Sequence, residues 1–476
     1  MSKHSRRGVL KGIGAAAVGV GLGAGQVSAS AADERFLVNL REVSRSEIPD
    51  DVEIVHDLSQ SDVLVARGDE TTVGTSAATV PDIAFDLSDD RTGAVVAADG
   101  PTAAGEGNSH NHDGPANNSE YQWDKRVQNL SNDLTDKPGN GKTVHDVTTG
   151  EGTRVAVVDS GVYDGHPDLA DVVDDDLSRN FTTDPFDWRP NGAGNHGTHV
   201  AGTIAATNSN DGPDGGVLGT APDTEIVSLR MFSGLEGYFG DGLAAWEYAA
   251  EIGCDAINYS VGYTVSDTEE YPGLLQLEQI ISQVATTVRS QGTVIVNSAG
   301  NASLDMDAPN QLSLPTEADD VFGVAATGPI GFSWGDEQDD NEEKWLSGNR
   351  LEEPTTQPAV YTNYGGAVDV SAAGGNYDYE EIVVEENLKA YNDLVFSTIN
   401  TTDDDGNVVP GYGWKAGTSM AAPQVAGAVA LVKSLRPDAT PDEVEGLIQE
   451  TASMPEEGER YHGAGHLDLE ELVKRA

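Results

Sequence analysis

The stretch Gly417–Gly427 constrains the fold of this chain more than any other, because it begins a predicted apolar helix. Valines recur there at the helical spacing i, i+4 and i+7: Val425, Val429 and Val432. Pro423 is predicted to lie in the first helical turn, where backbone N–H groups have no intrahelical partner. Ser419 would then lie at the positive N-terminal end of the helix, where it is either a cap or a nucleophile.

Two further stretches place polar residues at the ends of predicted elements. The apolar run Val155–Val158 ends in Asp159 and a glycine turn, which is typical of the carboxyl end of a buried parallel strand. His196 opens a predicted helix of small residues. Because catalytic groups of open α/β sheets gather at the carboxyl ends of the strands, this pattern favours a nucleophilic Ser419 over a capping one. The chain order aspartate, histidine, serine is one of the known orders of a serine triad.

Five blocks of the sequence together resemble the subtilase (subtilisin-like serine protease) family. In chain order these blocks are Val155–Gly161, Asn195–Ala206, Asp255–Gly262, Asn297–Asn301 and Gly417–Gly427. The resemblance implies an α/β fold, with a doubly wound, mostly parallel sheet and helices on both faces. It also implies that a small α+β propeptide domain precedes the catalytic domain.

The resemblance also assigns catalytic roles. Ser419 corresponds to the nucleophile, and His196 to the base that takes its proton, since imidazole titrates near neutral pH. Asp159 would accept the ring N–H of His196 and fix its tautomer. The Asn301 side chain and the backbone N–H of Ser419 correspond to the donors that stabilise the oxyanion.

The pair His196 and His199 has a competing interpretation as a zinc site. The zincin motif requires a glutamate directly after the first histidine and a spacing of four residues. Gly197 and the spacing of three residues meet neither requirement. His199 is therefore expected to pack or to cap, with no metal-binding role.

The substrate is expected to bind as an added β-strand, because main-chain pairing tolerates many side chains. The family pattern places this strand against Ser260, Val261 and Gly262 on one side and against the segment from Leu235 to Gly237 on the other. The pocket for the residue before the cut is expected to be lined by small residues: Ser298, Ala299 and Gly300. The sequence thus predicts a broad endopeptidase with a roomy, apolar-tolerant pocket.

Calcium is the cofactor that the resemblance implies, in a structural role, and none is expected for the chemistry. Asp168 matches a calcium ligand of the family, and the oxygen-rich segment Asn208–Val217 occupies the position of its calcium loop. This loop is longer than the usual one, so no ligand within it is assigned.

The charge of the chain restricts its partners and its environment. There are 80 acidic and 27 basic residues, and the formal net charge is −53. A nucleic-acid partner is excluded because phosphates would be repelled. Hydrophobic residues make up 38% of the chain, which disfavours general disorder. The charge indicates adaptation to concentrated salt, which screens self-repulsion. The single cysteine, Cys254, lies in an apolar stretch and is expected to be a buried, inert thiol.

The N-terminus has the composition of an export signal. Arg6 and Arg7 precede an apolar run from Gly12 to Gly25 and then small residues, which is typical of a signal peptide and similar to a twin-arginine (Tat) signal. About 14 apolar residues are short for a membrane anchor. We therefore expect an extracellular protein without stable membrane insertion once the signal is removed.

The expected organisation is a signal peptide (1–31), a propeptide and linker (32–118) and a catalytic domain (119–476). Within the propeptide, alternating residues such as Phe36 and Val38 predict strands. The catalytic domain has five clear predicted strands: Arg154–Val158, Glu225–Arg230, Ala256–Ser260, Thr293–Asn297 and Val321–Ala325. Its clearest predicted helices are Leu243–Glu251, Leu274–Arg289 and Ala421–Ser434. Segments 331–357 and 376–394 are predicted surface insertions, and the acidic run 336–343 in the first is either a solvated loop or a cation site.

The sequence therefore predicts an exported, salt-adapted serine endopeptidase that acts on polypeptides and has its own propeptide as a partner. A catalytically silent member of the same fold that serves as a binding module is the alternative from another class. A processing protease with few target sites differs from the main prediction only in its range of substrates.

Overall fold

The structure is a computed structural model. It describes residues 35–74, 78–86, 121–130, 142–191, 194–208, 216–270, 273–329, 356–377, 391, 393–403 and 406–476. The predicted signal peptide, the linker 92–119, the acidic run 336–343 and most of the second insertion lie outside these residues. No helix among the described residues combines the length and apolar character that a membrane crossing needs.

The described residues form eighteen strands and eight α-helices. The strands are β1 (Arg35–Asn39), β2 (Glu53–Leu58), β3 (Val63–Arg67), β4 (Thr79–Pro81), β5 (Ala84–Asp86), β6 (Arg154–Asp159), β7 (Arg179–Asn180), β8 (Glu225–Arg230), β9 (Phe232–Ser233), β10 (Glu236–Tyr238), β11 (Ala256–Tyr259), β12 (Tyr263–Val265), β13 (Val294–Ser298), β14 (Leu312–Leu314), β15 (Phe322–Thr327), β16 (Val370–Ala373), β17 (Val395–Thr402) and β18 (Val408–Lys415). The helices are α1 (Trp123–Val127), α2 (His196–Ala205), α3 (Phe239–Glu251), α4 (Leu274–Ser290), α5 (Thr418–Leu435), α6 (Pro441–Thr451), α7 (Glu459–His462) and α8 (Leu469–Arg475). Short 3-10 helices cover Arg45–Glu47, Glu70–Thr72, Val144–Asp146 and Thr268–Glu270.

A seven-stranded sheet with the order β16-β15-β13-β11-β6-β8-β7 forms the centre of the catalytic part. All of its strand pairs are parallel. This agrees with the predicted α/β fold and its parallel sheet. The five predicted strands are all present, and β8 has the predicted bounds.

Helices cover both faces of this sheet, and alternate residues of β6 show why. Val155 and Val157 belong to the hydrophobic cluster that contains α2 and α5. Ala156 and Val158 belong to the cluster that contains α3 and α4. A strand that is buried on both faces reads as a continuous apolar run, as β6 does. Cys254 is buried at the edge of the second cluster, and burial raises the pKa of its thiol, in agreement with an inert side chain.

The N-terminal unit, residues 35–86, contains an antiparallel sheet with the order β2-β3-β1-β4. Phe36 and Val38 point into a small core of this unit. Leu37 and Val65 join the cluster that contains α3 and α4, so the other face of this sheet packs on the catalytic part. The described residues of this unit carry 3-10 helices and no α-helix, whereas α+β was expected.

Charged and polar contacts also join the two parts. The Arg35 guanidinium donates to Asp82 (2.9 Å) and to both oxygens of Asp241 (2.6 and 3.2 Å). All three side chains are buried. The Glu247 carboxylate accepts from the backbone N–H and the hydroxyl of Ser61, at 3.0 and 2.6 Å.

The prediction for Pro423 is wrong in one respect. Helix α5 begins at Thr418, so Pro423 is its sixth residue and lies beyond the first turn. Proline has no N–H to donate to the residue four positions earlier, and here that residue is Ser419. The carbonyl of Ser419 therefore needs a donor from outside its own helix.

Candidate active site

Asp159 is the last residue of β6 and is fully buried. Both of its carboxylate oxygens lie 2.9 Å from Nδ1 of His196. Carboxylate oxygens only accept hydrogen bonds, so Nδ1 carries the proton and Nε2 is left as the basic nitrogen. The backbone N–H of Ser160 also donates to Oδ1 of Asp159, at 2.6 Å.

His196 is the first residue of α2, and a glycine lets this helix reach the end of β6. A Cβ atom on Gly197 would clash with the carbonyl oxygen of Gly161 and would lie 3.2 Å from the Asp159 side chain. The N–H of Gly197 donates to the hydroxyl of Ser160, at 3.0 Å. In the sequence Asp-Ser-Gly, Asp159 therefore supplies the acceptor for His196, and Ser160 supplies a hydrogen bond to the helix that His196 begins.

Ser419 lies in the first turn of α5 and is almost fully buried. Its hydroxyl donates to the carbonyl oxygen of Ser260, at 3.1 Å. The hydroxyl of Ser260 in turn donates to the carbonyl oxygen of Ser419, at 2.9 Å. This second bond supplies the donor that Pro423 withholds from Ser419.

Asn301 is fixed against the residue that precedes Ser419. Its Oδ1 atom accepts from the backbone N–H of Thr418 (2.8 Å) and from the Thr418 hydroxyl (2.9 Å). The same hydroxyl accepts from the N–H of Gly300, at 3.1 Å. Gly300 has a φ of +103°, and a Cβ atom there would clash with the Asn363 amide, so glycine is required at this turn. With Oδ1 held in this way, Nδ2 is the end of the Asn301 amide that can serve an oxyanion.

The predicted substrate-binding residues lie on adjacent chain segments. Ser260, Val261 and Gly262 directly follow β11, while Ser298 ends β13 and Gly300 follows it. These two strands are parallel neighbours, with Tyr259 opposite Asn297. The segments that leave them therefore start side by side at the carboxyl edge of the sheet, where Ser419 contacts Ser260.

Gly237 lies in β10, and the chain itself already pairs with this strand. Strand β5 of the N-terminal unit runs antiparallel to β10, with Gly237 opposite Phe85. The other edge of β10 pairs with β9. The edge on which a substrate strand was predicted is thus occupied by residues 84–86.

His199 lies apart from this group, although it shares a helix with His196. It is fully buried, and its Nε2 atom donates to the carbonyl oxygens of Val395 (3.1 Å) and Gly413 (3.2 Å). Burial, together with the nearby Lys415 and His196, lowers the pKa of His199 well below its ordinary value. His199 is therefore a buried, packed side chain, as expected. The lowered pKa indicates that its imidazole is neutral.

Asp168 contacts Val217, the last residue of the segment predicted as a calcium loop. It is buried, and its Oδ2 atom accepts from the N–H of Val217 and from the hydroxyl of Tyr412, both at 2.9 Å. Asn208 begins the loop, and its buried Oδ1 atom has no hydrogen-bond donor among the described residues. Residues 209–215 lie outside the described part. Among the described residues, no group of three or more His, Cys, Asp or Glu side chains is arranged to hold a metal ion.

The contacts of Ser160, of Thr418 and of the Ser260 hydroxyl were not predicted from the sequence. A signal for Ser260 was present, because Pro423 stands four residues after Ser419 and indicates an unpaired carbonyl group. Ser160 and Thr418 had no such signal, since their contacts join segments that are distant in the sequence.

Comparisons with known proteins identify the relatives of this chain. A sequence model of the Peptidase S8, or subtilase, family matches residues 150–468. An extracellular protease of Xanthomonas campestris is 30% identical over 373 residues, which cover 70% of this chain and 53% of the relative. Thermitase of Thermoactinomyces vulgaris is 27% identical over 340 residues, covering 69% of this chain and 91% of thermitase.

Solved structures share the fold. The epidermin leader peptide processing serine protease of Staphylococcus aureus superimposes with a TM-score of 0.64 at 18% identity. The superposition covers 93% of this chain and 98% of that structure. At this identity the likeness concerns the fold alone.

Proposed function

Because the chain belongs to the subtilase family of serine endopeptidases, we propose that it hydrolyses peptide bonds through Asp159, His196 and Ser419. The main support is the contact of both Asp159 oxygens with Nδ1 of His196, at 2.9 Å. This contact leaves Nε2 as the base, while the hydroxyl of Ser419, in the first turn of α5, contacts Ser260 directly after strand β11. The alternative of a silent binding module has no observation in its favour.

In the proposed reaction, Nε2 of His196 takes the proton of the Ser419 hydroxyl as the oxygen attacks the substrate carbonyl. Asp159 stabilises the imidazolium that forms. The negative oxygen of the tetrahedral intermediate accepts from Nδ2 of Asn301 and from the backbone N–H of Ser419. His196 then gives its proton to the leaving amine, and water releases the acyl group by the reverse sequence.

The substrate class is proposed to be extended polypeptide. Strand β10 would provide a main-chain edge at Gly237 once residues 84–86 leave it. Residues 260–262, which follow β11, are proposed as the second segment that pairs with the substrate. Main-chain pairing places few demands on side chains, which favours broad specificity over the processing of a few sites. Hydrolysis of casein in molar NaCl tests the activity, and sequencing of the released peptides tests its breadth. Ser419→Ala should abolish hydrolysis, and casein cleavage by this variant at the wild-type rate would refute the catalytic assignment.

We also propose that the protein is exported as a folded precursor by the twin-arginine route. Support comes from Arg6 and Arg7 before an apolar run and from the extracellular protease among the relatives. Changing both arginines to lysine should retain the precursor in the cell. N-terminal sequencing of the secreted protein would then locate the maturation site, and a precursor that stays uncut only in Ser419→Ala would establish self-processing.

The N-terminal unit is proposed to act as a propeptide that blocks the substrate site. Its support is the pairing of β5 with β10 on the edge predicted for substrate, together with the buried contacts of Arg35. Activity that appears only after residues 35–86 have been removed is the expected observation.

Adaptation to concentrated salt is proposed from the formal net charge of −53. Salt screens the repulsion between exposed carboxylates, to a length of about 3 Å at 1 M. The melting temperature should therefore rise with NaCl concentration, and an unchanged melting temperature after dialysis to low salt would contradict the proposal.

Calcium is proposed as a structural ion at the loop that starts from Asn208. The buried Oδ1 atom of Asn208 is an oxygen ligand of the kind that calcium prefers, and Asp168 supplies a buried carboxylate beside it. Further support is the N–H of Thr207, the residue before Asn208, which donates to the backbone carbonyl of Asp168 at 3.0 Å. Bound calcium would stabilise the loop near β18, because the Tyr412 hydroxyl of that strand donates to Asp168. A chelator should lower the melting temperature of the wild type more than that of Asn208→Ala.

A further inference from the structure

The hairpin formed by β17 and β18 contacts the helix that carries His196. Ser397 lies opposite Gly413 in this hairpin, and Val395 lies opposite Lys415. The Nε2 atom of His199 donates to the carbonyl oxygen of Val395 on one strand (3.1 Å) and to that of Gly413 on the other (3.2 Å). One buried N–H group therefore joins α2 to both strands at once.

Side chains of β17 make a second set of contacts with the first turn of α2. The hydroxyl of Ser397 donates to the carbonyl of His199, at 3.0 Å. The hydroxyl of Thr398 donates to the carbonyl of Thr198, at 2.8 Å. The Thr198 hydroxyl donates in the other direction, to Oδ1 of Asn400, at 2.8 Å. The hairpin is thus fixed to Thr198 and His199, which follow His196 closely in the same helix.

A glycine in α2 allows this close approach. A Cβ atom on Gly202 would clash with the hydroxyls of Thr398 and Ser397. The helix surface there consists of backbone, so the strand lies directly against it. Only the short side chains of Ser397 and Thr398 lie between helix and strand, and both are hydrogen-bonded to the helix backbone.

The second strand of the hairpin leads directly to the nucleophile. Strand β18 ends at Lys415, four residues before Ser419. The connecting segment is fixed by the N–H of Gly417, which donates to the carbonyl of Gly374 at 2.9 Å. A shift of β18 relative to α2 would therefore change the distance between the Ser419 hydroxyl and the His196 ring.

We propose that His199 is a positioning residue, which holds the hairpin against α2 and so sets the spacing between His196 and Ser419. This inference rests on the proposed function, because it concerns the same reaction. Both acceptors are carbonyl groups, so Nε2 of His199 must carry the hydrogen. A neutral histidine meets this need without placing a second positive charge beside the imidazolium that His196 becomes during the reaction.

The test compares two variants of the buried His199 with one variant of the partly buried His145. His199→Leu removes the donor, while His199→Gln places an amide N–H where Nε2 stands. His145→Leu is the matched control, since Nε2 of His145 also bonds a backbone carbonyl, that of Thr220 at 2.9 Å, in a different element. The readouts are kcat per titrated active site, KM for a small peptide substrate, and the rate constant for sulfonylation of Ser419 by phenylmethylsulfonyl fluoride.

For His199→Leu we expect kcat to fall by about 10- to 100-fold, the range that misplacement of catalytic groups produces, while KM stays within about 2-fold. The sulfonylation rate should fall with kcat. His199→Gln should recover most of the loss, and His145→Leu should lower the melting temperature without a change in kcat. An unchanged kcat in His199→Leu would overturn the proposal, as would a glutamine variant that is no better than the leucine variant.

If His199→Leu does not fold, the double variant Ser397→Ala/Thr398→Val tests the same contact, because it removes the hydroxyl donors of β17 that bind the backbone of α2. A loss of kcat at unchanged KM supports the positioning role, and a wild-type kcat overturns it. Failure of the proposed function gives a different result, because a wild-type protein that cleaves no peptide would also show no sulfonylation at Ser419.

Discussion

Ser260 and Ser419 exchange hydrogen bonds: each hydroxyl donates to the carbonyl oxygen of the other residue, at 2.9 and 3.1 Å. The bond from Ser260 replaces the helical N–H that Pro423 lacks. The strand that is predicted to bind substrate is thereby joined directly to the predicted nucleophile.

We expect Ser260→Ala to lower both stability and kcat. Without the Ser260 hydroxyl the buried carbonyl of Ser419 has lost its donor, which costs about 1–3 kcal/mol. Denaturant unfolding in a Ser419→Ala background, which prevents self-digestion, measures the stability change. Ser266→Ala, at an exposed serine, is the control. Equal unfolding free energies for Ser260→Ala and its parent would show that the carbonyl finds another donor.

Asn301→Ala is expected to reduce kcat by about 10²–10³, the magnitude measured for the corresponding donor of a subtilisin. The oxyanion exists only in the transition state, so KM should change little. Asn301 also accepts two bonds from Thr418, and Asn301→Asp keeps these acceptors while it removes the Nδ2 donor. An aspartate variant with wild-type kcat would exclude Asn301 as the oxyanion donor.

Asp159→Asn is expected to lower kcat by about 10⁴, because the imidazole loses the acceptor that fixes its tautomer. The double variant with Ser419→Ala should be no worse than Ser419→Ala alone, since the two residues act as a unit. Steady-state kinetics on a peptide substrate check both statements. Asp171→Asn, at an exposed aspartate, should leave kcat unchanged.

The parallel sheet was predictable because strands buried on both faces read as apolar runs, of which Val155–Val158 of β6 is an example. Asp159, His196, Ser419 and Asn301 could be selected from the sequence as candidates, since each stands at or near the end of an element in a motif of its own. Contacts between motifs could not be predicted in the same way. The exchange between Ser260 and Ser419 joins residues 159 positions apart, and local periodicity carries no information about such pairs.

Arg35→Met should loosen the N-terminal unit. Breaking one side of a buried ion pair costs about 3–5 kcal/mol, because Asp82 would stay buried without its cation and Asp241 would keep only its contact with His56. Limited proteolysis of the Ser419→Ala precursor by an added protease should then cleave residues 35–86 faster. Arg41→Met is the control, since the Arg41 side chain is 55% exposed. Equal cleavage rates for the two variants would contradict the prediction.

Glu317→Gln should remove a pH dependence of stability. Burial raises the pKa of Glu317 from 4.5 to about 7, and the charges of Glu278 and Asp307 add to the effect. A carboxyl group with a raised pKa in the folded state stabilises the fold fully below pH 4.5, and this contribution is lost as the pH rises through about 7.

We therefore expect the melting temperature of the Ser419→Ala protein to fall between about pH 5 and about pH 8, and to fall less when Glu317→Gln is added. Glutamine keeps an acceptor for the N–H of Ser313, which donates to Glu317 at 2.6 Å. Glu151→Gln, at an exposed glutamate, should leave the slope unchanged. Parallel curves for the parent and Glu317→Gln would show that Glu317 is not the titrating group.

The pairing of β5 with β10 has a consequence for how the uncut chain responds to dilution. One edge of a strand accepts a single neighbour, so residues 84–86 and a foreign peptide compete for it. A tethered competitor acts at an effective concentration in the millimolar range, whatever the concentration of the protein. Under the proposed propeptide role, inhibition by this pairing is therefore unimolecular before the tether is cut and bimolecular afterwards. Dilution of the cut protein in a large external volume would then be enough to release the N-terminal unit and expose the substrate site.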